Sequence, residues 1–145
     1  MASPESHNYV KLQVVTPMGL HVDTTSTMVT LAGVDGDFGV LEGHAPFFTK
    51  MRPGVLRYDE GGMPRAVAVS AGFVEVTHEK IVVLARTCEG PGQIDEERAR
   101  KAKTETEERL HTLSYEDEQR KSYEDKLMRA NARLEVVGGR KEYGG

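Results

Sequence analysis

Up to Glu89 the apolar residues come in short runs of period two; beyond Ile94 they recur at every third or fourth position. Val10, Leu12 and Val14 face one way with Lys11 and Gln13 opposite. Val29 and Leu31 flank Thr30, Val67 and Val69 alternate with small residues, and Val74 and Val76 bracket Glu75. Such alternation predicts strands with one buried face. Ile81-Val82-Val83-Leu84 is unbroken, which predicts a strand covered on both faces. Turn formers separate the runs at Pro17-Met18-Gly19, 33–39, Pro53-Gly54, Gly61-Gly62-Met63-Pro64 and His78-Glu79-Lys80. Strands at this spacing predict a small flattened β-sandwich or barrel over 9–89.

Gly90-Pro91-Gly92 marks a boundary, and from there to Val137 the chain holds no glycine or proline. After a linker at 90–93, Asp95 is placed to cap a helix whose first turn carries Glu96 and Glu97, the charge that suits the positive end of the helix dipole. Ala99, Ala102, Thr106, Leu110 and Leu113 form one stripe. His111 to Tyr115 reads as a break, and Tyr123, Leu127, Ala130, Leu134 and Val137 form a second stripe. Two narrow stripes of this kind predict an antiparallel helical hairpin over 94–137. Its seam is rich in alanine, so at ~25 cal/mol per Å² it is marginal alone and needs to lean on another surface. The fold class is α+β: a sandwich, then a helical hairpin. The ends, 1–8 and 138–145, are expected to be disordered or flexible.

Composition narrows the function. The chain has 145 residues, 38% hydrophobic and 29% charged, with a net charge of −4. It lacks the overall basic excess of a nucleic-acid binder. One cysteine, Cys88, cannot make an internal disulfide, which fits a reducing compartment. No window is apolar enough to span a membrane, and neither a secretory signal nor an Arg-rich transit peptide precedes the first strand.

The run Gly36-Asp37-Phe38-Gly39-Val40-Leu41-Glu42-Gly43-His44-Ala45-Pro46 is the most distinctive segment. Its glycines predict a loop of defined shape rather than a strand or helix, and Asp37 is a turn former in its own right. It lacks the lysine of a phosphate loop and opens no helix. Three further motifs follow in order: Arg52-Pro53-Gly54-Val55-Leu56-Arg57; Ser70-Ala71-Gly72-Phe73-Val74-Glu75-Val76; and Ile94-Asp95-Glu96-Glu97-Arg98-Ala99. Together with the layout, from about Tyr9 to Val137, they resemble the epsilon subunit of F-type (rotary) ATP synthases of the bacterial type. Ala71 departs from the family's usual glycine.

The resemblance implies a non-catalytic rotor subunit at the cytoplasmic face of the bacterial inner membrane. It would link the gamma subunit to the membrane c-ring and couple proton translocation to ATP synthesis. Asp37 and His44 would lie on the loop that faces the c-ring. The hairpin would extend to meet the alpha and beta subunits and inhibit ATP hydrolysis, using the basic face of Lys126, Arg129 and Arg133, with Arg120 and Lys121 adding charge a turn earlier. On the residues alone that face reads as a solvated helix surface with i,i+4 pairs. No cofactor is required. The resemblance also implies a weak regulatory ATP site at Glu89, Ile94, Asp95, Arg98 and Ala99, aided by Arg129 and Arg133. The same motif read without it is a capped helix start with Ile94 as a hydrophobic staple. The first-helix arginine of ATP-binding relatives is replaced by the acidic stretch Thr104-Glu105-Thr106-Glu107-Glu108. Two rival readings stand beside this one. A cupin-like metal-dependent enzyme would use Glu42, His44 and His78, though no close-spaced ligand motif supports a metal. The other rival is a stand-alone sandwich and coiled-coil adapter.

Overall fold

A computed structural model describes residues 9–142; the expectations for 1–8 and for the last residues of the chain lie outside this range. Ten strands come first: β1 (Val10–Thr16), β2 (Gly19–Ser26), β3 (Val29–Gly33), β4 (Gly36–Val40), β5 (Phe47–Met51), β6 (Gly54–Glu60), β7 (Met63–Val69), β8 (Gly72–Val76), β9 (Lys80–Ala85) and β10 (Cys88–Glu89). A short 3-10 turn at Pro91–Gln93 leads into α1 (Glu96–Thr112) and α2 (Arg120–Glu142). The strands follow the order β10-β7-β6-β3-β5-β8-β9-β1-β2, with β4 on the free side of β3. Pairing is antiparallel except between β1 and β9, which run parallel.

The sheet curls until its ends nearly meet. Thr27, just past β2, donates its backbone N–H to the Asp59 carboxylate of β6 at 3.1 Å, and its hydroxyl bonds the same carboxylate. Ser26 is fully buried beside them; its Oγ accepts from Asp59 N at 2.9 Å and donates to Met28 O at 2.8 Å. Inside lies one core that includes Leu12, Val14, Leu31, Leu56, Val74, Ile81 and Val83. These are the inward positions of the alternating runs, so the period-two reading places the core correctly.

Three local expectations change. Gly36–Val40 is a strand, not a loop: it pairs with β3 from Gly33↔Gly36 to Val29↔Val40, so the hairpin turn falls at Val34 and Asp35. Pairing with β3 overrides the weak strand preference of two glycines. The apolar run of β9 is covered on one side only, since Ile81 and Val83 are buried while Leu84 is 50% exposed. Finally, α2 does not stop at Val137. Gly138 and Gly139 continue it, against a helix cost of about 1 kcal/mol per glycine, beyond the buried Val136 and Val137.

Candidate functional site: a latch between hairpin and sandwich

The hairpin is built as expected and then docked by a face of which the stripes included only Val137. The Asp95 side chain accepts from Arg98 N at 3.1 Å, capping α1. Ala99 and Thr106 on α1 are buried, as are Ala130 and Val137 on α2. Arg120, in the first turn of α2, donates to the carbonyls of Leu110 and Leu113 at 3.3 and 3.2 Å, so it satisfies the end of α1. Its guanidinium also lies 4.3 Å from the Tyr115 ring centre. Arg120 is therefore committed within the hairpin and adds nothing to a free basic face.

A second, smaller core joins the hairpin to the sandwich: Ile94, Ala132, Val136 and Val137 pack on Ala68, with Val55 and Ala66 beside them. Ion pairs flank this contact on both sides of α2. Arg133 Nε donates to Glu89 Oε1 at 2.8 Å, and Arg57 Nη2 lies 3.3 Å from Glu135 Oε2. The first pair is half-buried and the second exposed, so the first holds more strongly.

Glu89, Arg129 and Arg133 thus come together, but Asp95, Arg98 and Ala99 do not join them in an open site. The nook beside Glu89, Arg129 and Arg133 holds only about 10 Å³ of free space, less than one water needs comfortably. Ile94 and Ala99 are buried in packing, Asp95 caps α1 and Arg98 is exposed. In this arrangement Glu89 and Arg133 act as a latch between the sandwich and α2. Of the basic face, Arg129 and Arg133 turn toward the sandwich, while Lys126 is exposed and sits 5.0 Å from the Tyr123 ring centre.

Asp37 sits on β4 and pairs with Arg52 Nη2 at 2.5 Å. This pair rims a cleft of about 330 Å³ whose far wall is Met128, Asn131 and Glu135 of α2. Phe38 points to the opposite face of the strand, as neighbouring strand residues must, and packs edge-on against Phe47. His44 lies on that side, its ring 5.1 Å from Phe47 and its Nδ1 2.8 Å from Ala45 O. Asp37 and His44 therefore do not form one cluster, because the loop expected to carry both is a strand over its first half. Among the described residues no three His, Cys, Asp or Glu side chains are grouped to hold a metal ion.

The sequence reading of single faces missed the outer surface of the sandwich. Phe48, Phe73 and Leu84 are 61%, 41% and 50% exposed on neighbouring strands β5, β8 and β9. The Phe48 and Phe73 rings stack with centres 5.5 Å apart. Leu84 pairs with Val15, and Val15 in turn with Leu20, which extends the apolar band to β2. The available signal was the apolar excess of Phe47-Phe48 and of Ile81 to Leu84. A contiguous exposed band of this kind marks a docking surface.

A sandwich with an uncovered apolar face and a helical hairpin packed on another of its faces has the form of a docking module. The chain belongs to the ATP synthase delta/epsilon chain family: residues 9–91 match its beta-sandwich domain and residues 93–138 its long alpha-helix domain. It is 43% identical over 129 residues to the ATP synthase epsilon chain of Trichlorobacter lovleyi, covering 89% of this chain and 94% of that one. It is 41% identical over 127 residues to the epsilon chain of an Anaeromyxobacter species, covering 88% and 96%. The fold is similar to a chain in the Euglena gracilis mitochondrial ATP synthase structure of OSCP, F1 and c-ring, with TM-score 0.74, 22% identity, and 90% and 81% coverage. A chain of the Tetrahymena thermophila central stalk and c-ring matches with TM-score 0.55 at 9% identity. As a member of this family the chain is a non-catalytic stalk subunit of F-type ATP synthase, and the cupin-like reading is set aside on these matches. No helix among the described residues is long and apolar enough to cross a membrane.

Proposed function

We propose that this subunit grips the gamma shaft through the band of Phe48, Phe73, Leu84 and Leu20 and meets the c-ring with the edge carrying Asp37. The exposed apolar band carries this reading. It lies on strands that the hairpin leaves uncovered, and transferring it from water to a partner is favourable at ~25 cal/mol per Å². Asp37 supports the c-ring contact because its side chain stays 66% exposed despite the pair with Arg52, beside the exposed turn residues Val34 and Asp35. Rotation of the shaft then carries the subunit as a rigid collar, coupling ion flow to ATP synthesis at the cytoplasmic face of the bacterial membrane. Reconstitution with purified gamma tests it: Phe73→Asp with Leu84→Asp should weaken association at least tenfold while the isolated chain stays folded. Unchanged association in that double variant overturns the assignment.

Release of α2 from the sandwich is the regulatory step in this reading. It frees Arg129 and Arg133 to align with Lys126 as a basic face toward the alpha and beta subunits, and so to inhibit hydrolysis. Changing all three to alanine should relieve inhibition in the reconstituted enzyme. ATP binding at Glu89, Ile94, Asp95, Arg98 and Ala99 requires that the Glu89–Arg133 pair open. Calorimetric titration with MgATP, with Arg98→Ala as control, reads this directly; heat that is absent, or identical in the control, removes ATP from the mechanism.

A further inference from the structure

Six arginines among the described residues are matched to carboxylates. Arg52, Arg57, Arg65, Arg100, Arg120 and Arg133 each lie within salt-bridge distance of an Asp or Glu. Arg86, Arg98, Arg109 and Arg129 have no such partner among the described residues, and of these Arg86 and Arg129 line one pocket of about 250 Å³. Pro53, Ser70, Ala71 and Asp125 complete its wall. The two cations arrive from different bodies: Arg86 follows the last residue of β9 on the sandwich, and Arg129 lies in the middle of α2.

Ser70 adds a directed donor. It is 5% exposed, and its Oγ accepts from Thr87 N at 2.8 Å while its own N–H donates to Thr87 O at 3.1 Å. The Oγ is thereby fixed, and its hydroxyl proton is left for a ligand. Two guanidiniums and a hydroxyl around a common space match a tetrahedral oxyanion, because arginine presents paired donors to such a group. Asp125 opposes the anion with a single charge, so the pocket keeps a net charge of one positive unit from two arginines and one carboxylate.

We propose that this pocket binds phosphate as a clasp between the sandwich and α2. No residue of α1 lines it, so it does not use the Ile94 to Ala99 motif, although it shares Arg129 with the ATP site that the resemblance implies. A phosphate bridging Arg86 and Arg129 ties the movable helix to the fixed domain. Bound ligand stabilises only the docked arrangement, by a factor set by phosphate concentration over its dissociation constant. The subunit would thereby favour the docked hairpin when free phosphate is high.

The test is a titration of the full-length chain with inorganic phosphate at constant ionic strength, held with chloride, following backbone amide NMR shifts. Saturable shifts at Ser70, Ala71 and Thr87, lost in Arg86→Gln and in Arg129→Gln but kept in Arg98→Gln, are the expected result. Asp125→Asn should tighten binding about fivefold by removing the opposing charge, an outcome that misfolding cannot mimic. Amide hydrogen exchange across α2 should slow on adding phosphate. A parallel titration with MgATP separates the two sources of a phosphoryl group: shifts at Ser70 and Thr87 that appear only with the nucleotide, together with shifts at Asp95 and Ala99, overturn the phosphate site. Shifts that grow linearly with phosphate, or equally with chloride, also overturn it.

Discussion

Arg133 and Glu89 stand 44 residues apart in sequence and are joined by a 2.8 Å bond from Nε to Oε1, which ties the middle of α2 to the last strand of the sandwich. A half-buried, charge-assisted bond of this kind is worth about 1–2 kcal/mol. Its loss should show first in the element that it restrains. Glu89→Gln is expected to raise hydrogen exchange along the docked face of α2, at Ala132 to Val136, about tenfold, with little effect on the strands. It should also free Arg133, so any MgATP affinity is expected to rise in this variant. A fall in affinity would mean that Glu89 touches the nucleotide instead.

Gly72 is fixed by space rather than by a turn. A Cβ at this position would lie 2.0 Å from the Leu84 carbonyl oxygen, inside the pairing of β8 with β9. Gly72→Ala should cost about 3 kcal/mol, because backbone rather than a flexible side chain has to move. Urea denaturation checks the size. Its neighbour Ala71 is exposed, so the departure from glycine there costs nothing visible in the structure.

Ser26 closes the barrel: its side chain is fully buried, and it makes two hydrogen bonds to part-buried backbone groups. Ser26→Ala leaves the Asp59 N–H and the Met28 carbonyl without their partner. The expected loss is about 1–3 kcal/mol in thermal or urea unfolding. Ser26→Thr tests whether space or polarity matters, since Thr keeps the hydroxyl.

Cys88 predicts an alkaline limit to stability. Burial, reinforced by the charge of Glu89, pushes its thiol from an ordinary value of 9.0 up to about 11. A raised value favours the neutral thiol in the folded chain. The contribution is therefore complete below pH 9 and is lost as pH rises from 9 toward 11, where the unfolded chain sheds its proton first. Tyr58 shifts in the same direction, chiefly through burial. Denaturation midpoints measured across this window should fall with pH, and Cys88→Ala should flatten part of the slope. The buried thiol should also react slowly with alkylating reagents at pH 8 until the chain unfolds.

The sequence makes some of these relations legible and hides others for physical reasons. The stripe at Tyr123, Leu127, Ala130 and Leu134 is readable because its spacing alone defines one face of a helix, whereas Val137, counted in that stripe from the sequence, packs with the sandwich instead. Ala132 and Val136 lie on an adjacent face of the same helix. They join the sandwich through Ala68, and nothing local to α2 announces a partner so distant in the chain. Asp95 is readable as a cap, since the residue type and the following acids carry the signal. Asp37 is misread because glycine content describes backbone freedom, whereas strand β4 is imposed by pairing with β3. The exposed face of Phe73 and Leu84 is hidden for a related reason: an apolar residue in a strand does not say which side of the sheet is wet.

The parallel pairing of β1 with β9 has a consequence for how the chain is made. Lys11 to Val15 find their partners only at Lys80 to Leu84. During synthesis the first strand leaves the ribosome long before the ninth, and until then one of its edges is open to any passing strand. The sandwich cannot close progressively; it waits for nearly its whole length and then folds at once, so non-local pairing sets a slow step. A nascent chain stalled before Lys80 should be protease-sensitive throughout, and one stalled after the linker has emerged should be resistant. The collar would then exist before the hairpin has been made, so it would be ready to dock while its regulatory element is still being translated.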